Sequence, residues 1–98
     1  MLGKNLSLKG TFDLAVEKHK LKHFKVAEEL YNKILIKKPN HIQTIFLLGT
    51  LFTETNNLES AIKLFQRVIR LQPKHALACS NLGLIYMELK NFNSAVMC

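Results

Sequence analysis

His19 and His23 stand four residues apart, a spacing at which two imidazoles on one helix face can share a metal ion. A protein metal site needs a third ligand. None falls at a matching spacing, and His23 lies in a predicted turn. Both histidines therefore read as solvated surface, with no metal. His41 and His75 lie 34 residues apart, each two residues after a proline, which points to a structural or incidental role. Cys79 and Cys98 form no CxxC pair and no Cys/His cluster. They read as reduced thiols in a cytoplasmic protein. Asp13, Glu17, Glu28, Glu29, Glu54, Glu59 and Glu88 are scattered, without the converging pair that acid–base chemistry needs. No glycine-rich phosphate loop occurs, and no Ser or Cys nucleophile has a base beside it in a motif. The expectation is a non-catalytic chain with no cofactor.

The net charge of +7 is uneven. Residues 1–41 hold nine Lys and four acids, or +5; residues 42–98 hold five Lys/Arg and three acids, or +2. The run Lys18, Lys20, Lys22, Lys25 has the sign to meet phosphates. Few aromatic residues interleave with it, so a solvated turn is the preferred reading and nucleic acid the disfavoured one. No apolar run approaches the roughly 20 residues of a membrane helix. The first residues have no apolar signal core, and Leu2 after Met1 does not suit myristoylation.

With little chemistry to position, the elements themselves carry the information. Residues 1–10 read as a flexible lead-in; Ser7 or Thr11 could cap the first helix, and Gly10 favours a start near Thr11. Phe12, Leu14, Ala15, Val16 and Leu21 mark a first helix, with Leu14 and Leu21 on one face. Phe24, Ala27, Leu30, Tyr31, Ile34 and Leu35 mark a second, stopped before Pro39. A third runs through Ile42, Phe46, Leu48 and Phe52 to the turn Thr55-Asn56-Asn57. A fourth runs from Leu58 to Leu71 and stops before Pro73. A fifth spans Leu77 to about Leu89, and a sixth is expected from Asn93 or Ser94. Short links between consecutive helices demand antiparallel pairs.

The pairs recur at a 34-residue offset. Leu14, Leu48 and Leu82 align, as do Ala15, Gly49 and Gly83. Ala27, Ala61 and Ala95 form another row; Tyr31 pairs with Phe65, Ile34 with Val68, and Pro39 with Pro73. A small residue on one helix facing a bulky one on its neighbour is a packing code. The fold class is all-α: an α-solenoid of antiparallel helix pairs. Its repeat domain spans residues 11–98, in units of about 8–41, 42–75 and 76–98.

The pattern Leu48-Gly49…Phe52…Ala61…Phe65…Pro73, repeated as Leu82-Gly83…Tyr86…Ala95, resembles the tetratricopeptide repeat family over about residues 8–98. Thr11, Ile45 and Cys79 replace the family's aromatic before the Leu-Gly pair. The resemblance implies a right-handed superhelix with a concave groove that binds a peptide or helical segment of a protein partner. The groove residues it implies are Phe12, Val16, Lys20, Phe46, Leu47, Thr50, Asn81, Leu84 and Met87, with Thr53, Glu54 and Glu88 beside them. One subset of the family grips a peptide carboxylate with basic groove residues. Phe12, Val16, Leu47, Leu77 and Asn81 stand at those places and none is basic. Another subset uses a row of asparagines, of which only Asn81 is present. An apolar or amphipathic segment remains as the implied ligand.

The third unit stops at Cys98, so its end is expected to be uncapped, which favours a homo-oligomer. The alternative function is the substrate-recruiting arm of a larger enzyme, of glycosyltransferase, sulfotransferase or methyltransferase type, with its catalytic domain beyond Cys98.

Overall fold

The computed structural model describes residues 6–90. Among these residues there are five α-helices and no strand: α1 (Leu8–Lys20), α2 (Phe24–Lys37), α3 (Ile42–Glu54), α4 (Leu58–Leu71) and α5 (Ala76–Glu88). The protein is all-α. The chain divides into two compact units, Met1–Thr44 and Ile45–Cys98. The sixth helix expected from Asn93 or Ser94 lies outside the described residues.

In the first unit α1 begins at Leu8, three residues before the expected Thr11. Ser7 is the reason: its hydroxyl accepts the Gly10 amide at 3.0 Å, satisfying one orphan donor of the first turn. Gly10 sits inside that turn rather than before it, and the Thr11 hydroxyl donates back to the Ser7 carbonyl at 3.0 Å. At the other end Lys18, His19 and Lys20 occupy the last turn, where cations suit the exposed carbonyls. Leu21, expected on the helix face of Leu14, instead lies in the turn and is exposed. α1 packs against α2. Ala15, Ala27 and Tyr31 are fully buried and Ile34 nearly so, which is what the small-against-large rows require.

One turn geometry appears three times at the same offset. Lys22, Asn56 and Lys90 have φ of 64°, 63° and 60°. Each follows a helix, and at the first two the next amide reaches back: the His23 amide donates to the Lys18 carbonyl at 2.9 Å, and the Asn57 amide to the Phe52 carbonyl at 2.7 Å. These are six-to-one bonds of a left-handed helix stop. Asparagine tolerates that conformation, whereas lysine is strained in it. Lys22→Gly is therefore expected to stabilise the fold by about 0.5–1 kcal/mol. Urea denaturation checks this; a lower midpoint would show that the lysine stem contributes more than its backbone strain removes.

In the second unit Ile45, Leu48, Leu51, Ala61, Phe65, Val68, Ala78, Leu82 and Ile85 are buried. Gly49 on α3 faces the Phe65 ring of α4: a Cβ there would lie 2.9 Å from Phe65 Cε1. α4 in turn packs against α5, and the Gln66 side-chain amide donates to the Tyr86 hydroxyl at 3.0 Å.

Candidate functional site

Three of the four histidines are engaged in structure: His23 is exposed in its turn, whereas His19, expected as solvated surface, is half-buried. His19 Nδ1 shares a hydrogen bond with the buried Tyr31 hydroxyl at 2.9 Å, and its ring meets those of Phe24 and Tyr31 edge-on. His41 and His75 close the N-termini of α3 and α5. His41 Nδ1 accepts the Thr44 amide at 3.3 Å and lies 2.7 Å from the Thr44 hydroxyl, which satisfies a fully buried polar side chain. His75 Nδ1 accepts the Ala78 amide at 3.1 Å. Imidazole is outside the usual capping set of Ser, Thr, Asp and Asn, so the sequence left the role of these two histidines between structural and incidental and did not indicate the cap. Among the described residues no group of three His, Cys, Asp or Glu could hold a metal ion, and no helix is long and apolar enough to cross a membrane.

The expected groove residues divide between the units. In the first, Phe12, Val16 and Lys20 lie on α1: Phe12 and Val16 half-buried, Lys20 exposed at its last position. The Phe12 ring packs edge-on to His41, with centroids 5.7 Å apart. Beside it Lys9 Nζ donates to Asp13 Oδ2 at 2.8 Å. That hydrogen bond, with the nearby negative charge, raises the lysine pKa above its usual value. The pair is exposed and solvent-screened, so it adds little to stability.

In the second unit Phe46 and His75 repeat the Phe12–His41 contact 34 residues on, with centroids 5.0 Å apart. Phe46 also leans on Phe65, at 5.6 Å. Phe46 thus packs on its neighbours, and charging it would disturb the fold together with any ligand. Leu47 is half-buried on the same helix.

Thr50, Asn81 and Leu84 come together. With Thr53, Glu54, Ile85 and Glu88 they line a cleft of about 300 Å³ between α3 and α5. Leu84 is 63% exposed, and Met87, one turn further along α5, is 54% exposed. Ile85 was missed because a residue 2% exposed reads as core, yet its edge closes the cleft floor. The threonines have already used their protons: Thr50 donates to the Leu47 carbonyl at 2.7 Å and Thr53 to the Gly49 carbonyl at 2.9 Å. Towards the cleft they offer methyl groups and acceptor lone pairs.

A second cleft, in the first unit, is lined by Leu6, Leu8, Thr11, Lys33, Ile34, Ile36 and Lys37. Ile36 there is 80% exposed. None of the expected groove residues lines it.

Residues 49–90 match a family model described as TPR repeat. Among solved structures, the crystal structure of MamA is similar with a TM-score of 0.87 at 17% identity, over 92% of this chain and 53% of that chain. MamA 41-end from Desulfovibrio magneticus RS-1 is similar with a TM-score of 0.85 at 18% identity, over 94% of this chain and 52% of that chain. Identity at this level shows the helical-repeat fold alone. This chain spans about half the length of the solved chains that it matches. No curated protein matches it.

Proposed function

Because this chain carries repeats of the tetratricopeptide family, matched over residues 49–90, we propose that it is a protein-interaction module binding a peptide or helical segment in the cleft between α3 and α5. The observation that carries this reading is Leu84 and Met87, large apolar side chains more than half exposed on one face of α5. They adjoin a cleft lined by polar side chains that fix orientation. Exposed apolar surface with a polar rim is the usual mark of an interaction site. Asn81, half-buried there, makes no side-chain hydrogen bond to any described residue, which leaves its amide available to a ligand backbone.

Leu84→Asp tests the reading. Its side chain is exposed, so the helix should survive, as far-UV circular dichroism can check. Partner capture should fall by about tenfold or more, since a charge opposes an apolar contact. Ile36→Asp, at a still more exposed position in the other unit, should leave capture unchanged. Capture that survives Leu84→Asp and falls with Ile36→Asp would move the site to the first unit.

The reading extends to a second copy of this chain as a partner. Leu71 and Leu77 are also exposed in the second unit, and light scattering over a dilution series reports whether copies associate.

A further inference from the structure

The cleft in the first unit carries a residue that the repeat does not require. Ile36, which lines it, is 80% exposed, more than any other large apolar side chain among the described residues. The same slot 34 residues on, in α4, holds Arg70, an exposed polar residue. Helix formation gives no reason for isoleucine there, since a β-branched side chain is a weaker helix former than arginine. Nor does Ile36 stand alone. It adjoins a recess of about 320 Å³ whose other apolar walls are Leu6 and Leu8, around the start of α1, and Ile34 on α2. The only charged side chains lining this recess are Lys33 and Lys37. With Ile36 they fall at i, i+3 and i+4, on one face of α2. Both are exposed, and among the described residues neither makes a hydrogen bond or an ion pair. The Thr11 hydroxyl donates to the Ser7 carbonyl, so the two lysines are the side-chain donors left at the recess.

We propose that this recess is a second docking surface, and that its occupant is an acidic amphipathic segment of a protein partner. It shares no lining residue with the α3–α5 cleft, so its segment is a different one from the ligand held there. The apolar side chains of the segment lie on Ile36, Leu6 and Leu8. Its carboxylates accept from the Nζ groups of Lys33 and Lys37. Charge chooses between protein partners: with nine Lys and four acids, residues 1–41 carry +5. That field draws an acidic segment in and turns away the same face of a second copy. Shape argues against a lipid surface. Insertion into a bilayer needs an apolar face that stands out from the protein, whereas Leu8 is half-buried and Ile34 1% exposed in the wall of a concavity.

Two labelled peptides decide it, both with leucines at i, i+3, i+4 and i+7, one with glutamates on its polar face and the other with lysines. Fluorescence anisotropy on the full chain should show the glutamate peptide binding about tenfold or more tighter, an advantage that shrinks as salt rises. Equal affinities would overturn the proposal. A basic chain attracts any acidic peptide, so the place of binding is read from two variants of equal charge. Lys33→Gln/Lys37→Gln should weaken the glutamate peptide about tenfold. Lys22→Gln/Lys25→Gln should change it less than about twofold, because Lys25 lies about 12 Å along the helix from Lys33, beyond a screening length of about 8 Å. Equal losses would reduce the attraction to the bulk field and overturn the proposal. Ile36→Arg adds a cation and removes the apolar contact, with far-UV circular dichroism unchanged. It should weaken the glutamate peptide about fivefold or more; tighter binding would overturn the apolar half of the site. Binding kept in Ile36→Arg but lost in Leu84→Asp would put the peptide in the α3–α5 cleft instead. Flotation with phosphatidylserine vesicles that Ile36→Arg abolishes, with no peptide bound, would assign the recess to a membrane. Self-association in light scattering that Ile36→Arg abolishes would assign it to a second copy. Each of these three outcomes overturns the acidic segment.

Discussion

Phe65→Ala is expected to destabilise the protein by about 3–5 kcal/mol, the range for deleting a buried aromatic ring. The ring has no exposed surface and is touched on one side by Phe46, with centroids 5.6 Å apart. On another side lies Gly49, which has no side chain to move into the space. A site that cannot collapse keeps its cavity, so the upper half of the range applies. A small domain holds only about 5–15 kcal/mol in total. The variant should therefore lose about a quarter or more of its stability and show it as a lower urea midpoint. Phe65→Leu retains most of the apolar volume and should lose less. A change below about 1 kcal/mol in Phe65→Ala would mean that the α3–α4 pair is not packed around this ring.

The rows behind that prediction were legible because they rest on size and period alone. Ala27 with Ala61, Tyr31 with Phe65 and Ile34 with Val68 are all buried, and a 34-residue offset exposes them without any coordinates. What escaped is chemistry used in unusual ways. A left-handed helix stop is normally signalled by glycine, but here two of the three are lysines, Lys22 and Lys90. The helix caps at His41 and His75 use a ring nitrogen in place of the hydroxyls and carboxylates that sequence rules look for. Tyr31 and Phe65 look equivalent, yet only Tyr31 has a hydroxyl to satisfy, and His19 meets it. For the cleft, sequence brought out Thr50, Asn81 and Leu84 through the repeat register. It could not separate Phe46, half-buried on His75 and Phe65, from Leu84, which faces solvent. Both are large apolar residues on first helices, and only the distances tell which one a ligand could reach.

Gly49 illustrates the same limit and supports a second large effect. Sequence places Ala15 and Gly49 at one slot and treats both as small. Ala15 sits fully buried in α1, so a methyl is accommodated there. At Gly49 a methyl would lie 2.9, 3.0 and 3.2 Å from Cε1, Cζ and Cδ1 of Phe65, closer than carbon atoms approach without displacement. The ring cannot yield freely, since it is fully buried and backed by Phe46. Two effects then oppose each other. Alanine improves helix propensity over glycine by about 1 kcal/mol, while overpacking a tight core costs about 1–3 kcal/mol. With three ring atoms in the way, overpacking wins, and Gly49→Ala should lower stability by about 1–2 kcal/mol. Gly49→Leu, which must expel the ring, should lose about 3 kcal/mol or more. The cause is isolated by a double-mutant cycle. Combined with Phe65→Leu, which removes the obstructing ring edge, Gly49→Ala should recover its propensity gain and show a favourable coupling of about 1 kcal/mol or more. If Gly49→Ala instead raises the urea midpoint in the parent background, the helices have room to separate and the close approach at this slot is not what holds α3 to α4.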